Sequence, residues 1–348
     1  MYDPIAAITA SSLVAGAELG TMIEAAPENP SPAGGVFIDF DIRRDLGRAG
    51  TRTLDRAAAL AMHAVGSLPG FTAESPEPDP FMGLVMASTM GSIQSTMDFT
   101  RDSFTGTKPY HVDPARFPNT VMNFAAGQCA IRYGIQGPNA TVTTGHVGSL
   151  SALAYASRLL RGGHAKRMVV AASEELSEAR AVLESAVGTP AEELGEGSAA
   201  VLLELLGANP ASVGELLRLD SAFAIDDDQV EAALSTLLKG VLNCSDGSPR
   251  VKVFAPLNAT PGSVEMRALE TCVDPGELAG THVVDTRVRT GDLGSVSGLV
   301  QLQAALAALR ESGATDERDC ALVTSLDREG AVHVVLARLG STGKGQGR

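Results

Sequence analysis

Two similar segments of the sequence each place a residue capable of acid–base chemistry at the start of an apolar helix. Residues 145–153 read GHVGSLSAL and residues 291–299 read GDLGSVSGL, with the glycines, the serines and the final leucine in register. Each segment opens an apolar helix and leads to a strand, which indicates an internal duplication. A helix N-terminus carries partial positive charge and free N–H groups, so a region where both helices begin suits an anion or an acyl carbonyl.

His146 and Asp292 are the side chains that such chemistry would use. An imidazole can be acylated, but acyl-imidazoles hydrolyse readily, which makes His146 a poor covalent carrier. The positive end of the helix is expected to favour the neutral form of His146. Both residues also have structural interpretations: His146 can fill a core position, and aspartate is among the preferred N-cap residues.

The composition excludes several classes of function. The chain has 348 residues with 27 Lys+Arg against 41 Asp+Glu and a net charge of −14, so neither nucleic acid nor an anionic membrane surface is an expected partner. The N-terminus has no basic signal region, and no run approaches the roughly 18 apolar residues of a membrane span, so we expect a cytoplasmic protein. We expect reduced thiols, no metal and no cofactor, because the cysteines lie far apart without a paired motif: Cys129, Cys244, Cys272 and Cys320.

Strand-like and helix-like segments alternate along the chain, which is typical of an α/β fold. The pattern predicts strands at 35–42, 81–87, 167–172 and 199–205, and helices at 54–68 and 149–161. The helix at 149–161 is apolar on nearly all sides and is therefore expected in the core. Polar segments predict loops at 27–32, 72–80 and 226–228. Residues 341–348 contain no apolar side chain and predict a disordered tail.

A long central block resembles the β-ketoacyl synthases of the thiolase fold. Residues 118–175 begin with PNTVMNFAAGQCAIRYGIQGPNATVTT, continue through the first repeat segment and end with RMVVAASEE, and LGEGSAAVLLE follows at 194–204. The GPN turn, the small-residue helix and the GEG loop occur in the family's order and at its spacing. The resemblance implies a five-layered αβαβα fold of two duplicated halves, residues 1–205 and 206–340, followed by the tail at 341–348.

The same resemblance places substitutions at every essential catalytic position. The nucleophilic cysteine of the family corresponds to His146, and the second-half histidine corresponds to Asp292, with Arg287 at the lysine position. The remaining histidine falls in a shortened segment at 257–261 that includes Asn258 and contains no histidine. The glycine-rich gating loop is matched by the charged segment 325–330. Because a condensing enzyme needs the thiolate and both histidines, no catalytic set is intact.

A ketosynthase-like chain without catalytic residues matches the chain length factors of type II polyketide synthases. The resemblance implies a catalytic ketosynthase subunit as heterodimer partner, and an acyl carrier protein whose phosphopantetheine-bound chain enters that partner. Chain length factors usually carry glutamine at the nucleophile position; His146 departs from this and favours a system that makes reduced or polyene chains. Two alternatives remain: a divergent acyltransferase or malonyl decarboxylase that uses His146, and a non-enzymatic scaffold.

The resemblance also assigns residues to the subunit interface and to an acyl tunnel. In the family, the segment at 111–133 lies at the dimer interface and approaches the tunnel, where bulky side chains exclude further methylenes. The strand that pairs across the two-fold axis would contain Asn139, Thr141 and Thr143. Each apolar residue can equally belong to an ordinary interface core. The candidate tunnel and interface residues are Asp113, Phe117, Val121, Met122, Phe124, Met90 and Ile93.

Overall fold

The computed structural model of the chain describes residues 4–15, 35–73, 76–208, 212–243 and 248–340. The described residues contain strands in both halves of the chain. In chain order these are β1 Ala6–Ala15, β2 Met82–Ala87, β3 Asn139–Val142, β4 Arg167–Glu174, β5 Gly197–Glu204, β6 Gly214–Phe223, β7 Arg250–Ala255, β8 His282–Val283, β9 Asp319–Leu326 and β10 Ala331–Leu339. The predicted tail at 341–348 and the predicted loop at 27–32 lie outside the described residues.

Helices connect most of these strands. In chain order they are α1 Ile42–Leu46, α2 Arg56–Gly66, α3 Ile93–Thr105, α4 Phe124–Tyr133, α5 Gly148–Arg161, α6 Glu178–Ala186, α7 Asp227–Leu242, α8 Val264–Cys272, α9 Pro275–Leu278, α10 Arg287–Thr290 and α11 Ser297–Glu311. Four short 3₁₀ helices are η1 Pro114–Thr120, η2 Gly145–Val147, η3 Ala191–Glu193 and η4 Gly294–Val296. Within the described part of the chain, no helix is long and apolar enough to cross a membrane.

The strand order confirms the duplication that the repeat predicted. The sheet runs β3-β2-β4-β5-β1-β6-β10-β9-β7-β8, so five strands of each half are arranged in the local order 3-2-4-5-1. In both halves the second strand is parallel to the third and fourth, while the fourth and fifth are antiparallel. The halves join through three antiparallel residue pairs between β1 and β6.

Three apolar clusters divide the molecule into five layers. Alternate side chains of each strand point to opposite faces, so Val170 of β4 joins the central cluster while its neighbour Val169 joins an outer one. The central cluster contains α5 and α11 between the strands of the two halves. The outer clusters contain α2 and α4 on one side and α7 and α8 on the other. The predicted five-layered αβαβα fold of two duplicated halves is confirmed.

The predicted strand at 35–42 is wrong. Only Val36 makes a bridge, to Gly195, and the rest of the segment is held by side chains. Glu196 accepts the amide of Ile38 at 2.9 Å, and Arg56 donates to Ile38 O at 3.0 Å and to the Glu196 carboxylate. The ion pair between the half-buried Arg56 and the buried Glu196 therefore supplies the hydrogen bonds that a neighbouring strand would have given. The other predicted strands and helices coincide with observed elements, but α7 begins inside the predicted loop at 226–228.

The packing of the two central helices, α5 and α11, leaves no room for a side chain at Gly298. A Cβ atom there would lie 2.6 Å from Leu150 Cγ and 2.8 Å from Ser149 Oγ, the hydroxyl that accepts the amide of Leu299. We expect Gly298→Val to lower the free energy of unfolding by about 3 kcal/mol through overpacking. Gly240→Val, in an exposed helical turn with no atom near its Cβ position, should change it by less than about 0.5 kcal/mol. Urea denaturation measures both; equal losses would contradict the close packing.

Candidate functional site

The two repeat segments meet at the centre of the molecule, where they start the two buried helices. Thr-Gly precedes His146 in the first half and Thr-Gly precedes Asp292 in the second. His146 lies on η2, which leads into α5, and Asp292 lies two residues before η4, which leads into α11. Because the halves are related by duplication, equivalent positions face each other. His146 and Asp292 are therefore brought into direct contact.

The imidazole of His146 lies between two carboxylates. Its Nε2 is 2.9 Å from both Asp292 Oδ1 and Asp292 Oδ2. Its Nδ1 is 3.6 Å from Asp327 Oδ2, which also accepts the backbone amide of His146 at 2.9 Å. The His146 side chain is only 13% exposed and that of Asp292 only 5%. The Nδ1 contact with Asp327 is an ion-pair distance beyond hydrogen-bond range, so the imidazolium is favoured by the hydrogen bond to Asp292 and by the charge of both carboxylates.

These contacts set the charges of His146 and the carboxylates that face it. Burial alone lowers the pKa of His146, but the hydrogen bonds and charges of Asp292 and Asp327 outweigh it and raise the pKa of His146 to about 9. Burial acts against ionisation of Asp292, yet His146 and Arg287 hold the pKa of Asp292 well below its usual range. The expected neutral imidazole is therefore wrong. Two carboxylates in contact outweigh the partial charge of one helix terminus.

Asp292 has further partners that fix its position. Its Oδ1 accepts the amide of Gly294, the first residue of η4, at 2.8 Å, which matches its predicted role at a helix start. Arg287 Nη2 lies 3.3 Å from Asp292 Oδ2, and the fully buried Arg180 donates to Asp292 O at 3.0 Å. Arg287, which the resemblance assigns to the family's lysine position, thus joins the same ion cluster. Asp292 is held by groups from four separate segments.

Asp327 was not among the predicted site residues, although it belongs to the segment matched to the gating loop. It follows β9, and its Oδ1 accepts the amide of Glu329 within its own turn. Gly145 has a φ of +54°, and a Cβ there would lie 1.9 Å from Asp327 Oδ2, so only glycine fits beside this carboxylate. Arg328 of the same turn donates to Glu184 at 2.9 Å and also to Thr189. These contacts hold the turn that contains Asp327 and Arg328 against His146.

Asn258, which the resemblance assigns to the segment of the family's remaining catalytic histidine, lies in a turn whose amides bind the buried Glu265. Asn258 is exposed, and its Oδ1 accepts the amide of Thr260, so its side chain caps its own turn. Glu265 accepts the amides of Leu257 and Asn258 and the hydroxyl of Thr324. Burial raises the pKa of Glu265 to about 7. Sequence reasoning did not identify Glu265 as a structural residue, because its partners lie on separate segments.

The candidate tunnel residues occupy different environments. Val121 and Met122 are exposed, at 41% and 40%, and also border a narrow cavity of about 10 Å³, the size of one water molecule, beside Met86 and Gly91 at the end of β2. Met90 and Ile93 are half-buried on either side of that Gly91 turn. The other candidates do not line this cavity: Phe117 is exposed with its ring 6.0 Å from that of Phe99, Phe124 is buried in the outer cluster of α2 and α4, and Asp113 is exposed and caps η1.

The predicted interface strand is an edge strand. β3 contains Asn139 and Thr141 and pairs with β2 on one side only within the described residues; Thr143 follows the strand and is exposed. Such an edge presents free N–H and C=O groups that can pair with another chain. Large apolar side chains are exposed on the segments around it and on η1, α3 and α4: Phe104, Tyr110, Phe117 and Ile131.

The cysteines have the environments of packing residues. Cys129 is fully buried in an outer cluster, and burial raises its pKa to about 12; the pKa of Cys320 is also raised to about 12 by burial. Cys244 lies outside the described residues. Among the residues that the structure describes, no group of His, Cys, Asp and Glu side chains is arranged to hold a metal ion.

This chain matches one family model and is similar in structure to two solved proteins. The model "Beta-ketoacyl synthase, N-terminal domain" matches residues 48–189. The structure described as the ishigamide ketosynthase/chain length factor is 32% identical, with a TM-score of 0.83 over 96% of this chain and 99% of that one. A type II PKS acyl-carrier protein in complex with its ketosynthase bound to the hexaketide has a TM-score of 0.73 over 95% and 98% at 16% identity, which shows the fold alone.

Curated relatives match over shorter stretches. The 3-oxoacyl-[acyl-carrier-protein] synthase 2 of Rhizobium meliloti (strain 1021) is 33% identical over 108 residues, which cover 30% of this chain and 25% of the relative. The enzyme of the same name from Vibrio harveyi is 25% identical over 145 residues, covering 41% of this chain and 35% of the relative. The matches thus span about a third or less of the curated relatives.

The ion cluster predicts a stability that depends on pH through His146. The pKa of His146 is raised from 6.5 to about 9, so its contribution is complete below about pH 6.5 and disappears as the pH rises through about 9. This difference in pKa corresponds to roughly 3 kcal/mol. We expect His146→Gln to lose that amount at pH 6 and almost nothing at pH 10, measured by urea denaturation. His164→Gln, at an exposed histidine, is the control; a pH-independent loss in His146→Gln would contradict the assignment.

Proposed function

The chain belongs to the β-ketoacyl synthase family, and we propose that it is the non-condensing chain length factor of a type II polyketide synthase. It would pair with a catalytic ketosynthase subunit, whose cysteine performs condensation, and limit the length of the growing chain. The observation that carries this proposal is the state of His146. At the nucleophile position of the family, the chain has an imidazolium ion held by two carboxylates.

The geometry argues against condensation by this chain alone. A nucleophile attacks with a lone pair, and both ring nitrogens of His146 face acceptors. Asp292, at the proposed second histidine position, is the counter-ion of His146. The side chain of Asn258 accepts the amide of Thr260 in its own turn. The described cysteines are poor replacements for the missing thiolate, because burial raises the pKa of Cys129 and Cys320 to about 12 and also raises that of the half-buried Cys272.

The same geometry disfavours an acyltransferase or malonyl decarboxylase that uses His146. Such an enzyme needs the neutral imidazole, and with a pKa of about 9 only about one molecule in a hundred would carry it at pH 7. The substrate would also have to displace Asp292 or Asp327. A scaffold unrelated to acyl chains is less well supported, because the open edge of β3 and the exposed aromatic side chains have the features of an interface.

Two known structures support the choice of partners. One similar structure is that of a ketosynthase/chain length factor, and another contains an acyl-carrier protein with its ketosynthase. We propose a heterodimer in which β3 pairs with the corresponding strand of the ketosynthase. The carrier protein would deliver the acyl chain to the ketosynthase. With a net charge of −14, this chain should contribute little to the docking of an acidic carrier.

Val121 and Met122 are the best-supported candidates for limiting chain length. They line the narrow cavity at the end of β2, and a Cβ added at Gly91 would lie 3.0 Å from Met122 Sδ. A side chain that fills the end of an apolar channel excludes further methylenes, at about 0.8 kcal/mol of lost burial for each. We further propose that the product is a reduced or polyene chain, since His146 departs from the usual glutamine.

Native mass spectrometry of the co-expressed subunits tests the proposed assembly. We expect a one-to-one complex with the ketosynthase encoded beside this chain, and no acyl adduct on this chain after incubation with acyl and malonyl thioesters. The ketosynthase should be acylated in the same mixture, which controls for reagent quality. A stable homodimer that ignores the ketosynthase, or an acyl group on His146, would contradict the proposal.

Truncation of Met122 should lengthen the product. We expect Met122→Ala in the reconstituted complex to shift the product distribution toward chains longer by one or two extension units, because the blocked end of the cavity becomes open. Val182→Ala, at an exposed position on α6, is the matched control and should leave the distribution unchanged. Liquid chromatography with mass spectrometry measures the products. An unaltered distribution in Met122→Ala would remove this residue from the tunnel.

A further inference from the structure

A second pocket lies away from the paired site, at the N-terminal end of α2. Its volume is about 510 Å³, and its walls come from the start of α2, from α3 and from η1. Neither His146 nor Asp292 lines it. The charged and amide side chains that line it are Arg52, Asp55, Asp98, Asp113, Arg116 and Asn119.

Two hydrogen-bond acceptors of this pocket are buried without a donor. Asn119 is 8% exposed; its Nδ2 donates to Thr53 O at 2.8 Å, which fixes the amide orientation, and its Oδ1 has no partner among the described residues. Asp55 Oδ1 accepts the amide of Ala58, whereas Asp55 Oδ2 also lacks a hydrogen-bond partner within the described part of the chain. Buried acceptors are normally paired, so Asn119 Oδ1 indicates a missing donor, and Asp55, which has the Ser92 hydroxyl close by, supports it less strongly.

The floor of the pocket also lacks a positive charge. Burial raises the pKa of Asp55, and the nearby Ser92 hydroxyl offsets only part of this effect. Glu175 lies close by, and burial together with the charge of Asp55 raises its pKa to about 7. The two arginines of the pocket are exposed at its rim, and Arg116 already pairs with Asp102 at 3.4 Å. A cation entering from outside would pass these two arginines and meet Asp98, which already pairs with Arg101 at 3.1 Å, and Asp113 before it reaches Asp55 on the floor.

The walls of this pocket belong to segments with exposed apolar side chains. Asp98 is next to Phe99 on α3, Arg116 is next to Phe117 on η1, and the two rings pack 6.0 Å apart. Phe104 of the same helix is 84% exposed. A protein that covers this apolar surface would bring its own side chains to the mouth of the pocket. The donor that the floor lacks can therefore arrive on the surface of the partner subunit.

We propose that the pocket receives an arginine side chain of the partner ketosynthase, whose guanidinium donates to Asn119 Oδ1 and Asp55 Oδ2. An arginine fits because its planar group has five N–H donors and keeps its charge when buried. The carboxylates of Asp98, which pairs with Arg101, and Asp113, which accepts the amide of Ala115, lie at the mouth and add negative charge there. This inference rests on the proposed heterodimer and adds a specific anchor to it, since apolar contact alone does not fix the orientation of two subunits.

Charge reversal at the mouth of the pocket tests the proposal in the full heterodimer. We expect Asp98→Lys to weaken the complex at least tenfold at low salt and less at high salt, because it repels the entering guanidinium. Glu270→Lys, an exposed substitution on α8 with the same change of charge, should alter the dissociation constant less than twofold. Asn119→Leu should weaken the complex similarly at all salt concentrations, with its folding checked by circular dichroism of the isolated chain.

The outcomes separate this inference from the proposed function. If the wild-type heterodimer forms, and Asp98→Lys and Glu270→Lys change its dissociation constant equally, the arginine anchor is wrong and the proposed chain length factor still stands. Absence of a wild-type heterodimer overturns both. Agmatine, a free guanidinium compound, is the second probe: if it raises the melting temperature of the isolated chain while the heterodimer is insensitive to Asp98→Lys, the pocket binds a small cation, and the anchor is again wrong.

Discussion

A buried imidazolium–carboxylate pair joins equivalent positions of the two halves, and the centre of the molecule is arranged around it. Ion pairs out of water are costly unless further hydrogen bonds support them. Here Asp292 also receives the amide of Gly294 and the guanidinium of Arg287, while Asp327 receives the amide of His146. The absence of a side chain at Gly145 follows from the same constraint, because a Cβ would collide with Asp327.

Under the proposed function, this pair would explain how the fold persists without the family's condensation chemistry. Two central helices that begin in one place concentrate positive partial charge there, which in a condensing enzyme stabilises a thiolate. In this chain the same field stabilises the carboxylate of Asp292, and Asp292 in turn holds the cationic His146. In the proposed assignment, His146 at the family's nucleophile position and Asp292 at its second histidine position have become partners of each other. The proposed role of the chain then rests on surfaces and cavities beyond the pair: the β3 edge, the cavity beside Met122 and the pocket at the N-terminal end of α2.

Local patterns in the sequence predicted the fold well but predicted the site only in part. The repeat at 145–153 and 291–299 indicated the duplication, because it combines helix starts, small residues and apolar periodicity within nine positions. The charge of His146 could not be predicted in this way: Asp327 is 181 residues away, and only the folded chain brings it to the ring. The segment at 35–42 has a strand-like composition, yet its hydrogen bonds go to Glu196 and Arg56, which no local rule anticipates.

The protonation state of His146 is the most direct test of this account. Nitrogen NMR of the protein labelled with ¹⁵N-histidine distinguishes a ring with two N–H groups from a neutral ring with one bare nitrogen, and His146→Gln assigns the signal. We expect both ring nitrogens of His146 to be protonated at pH 7.5 and to titrate near pH 9. A neutral ring at pH 7.5, with a lone pair available for acylation, would contradict the central claim that the nucleophile position is locked in an ion pair.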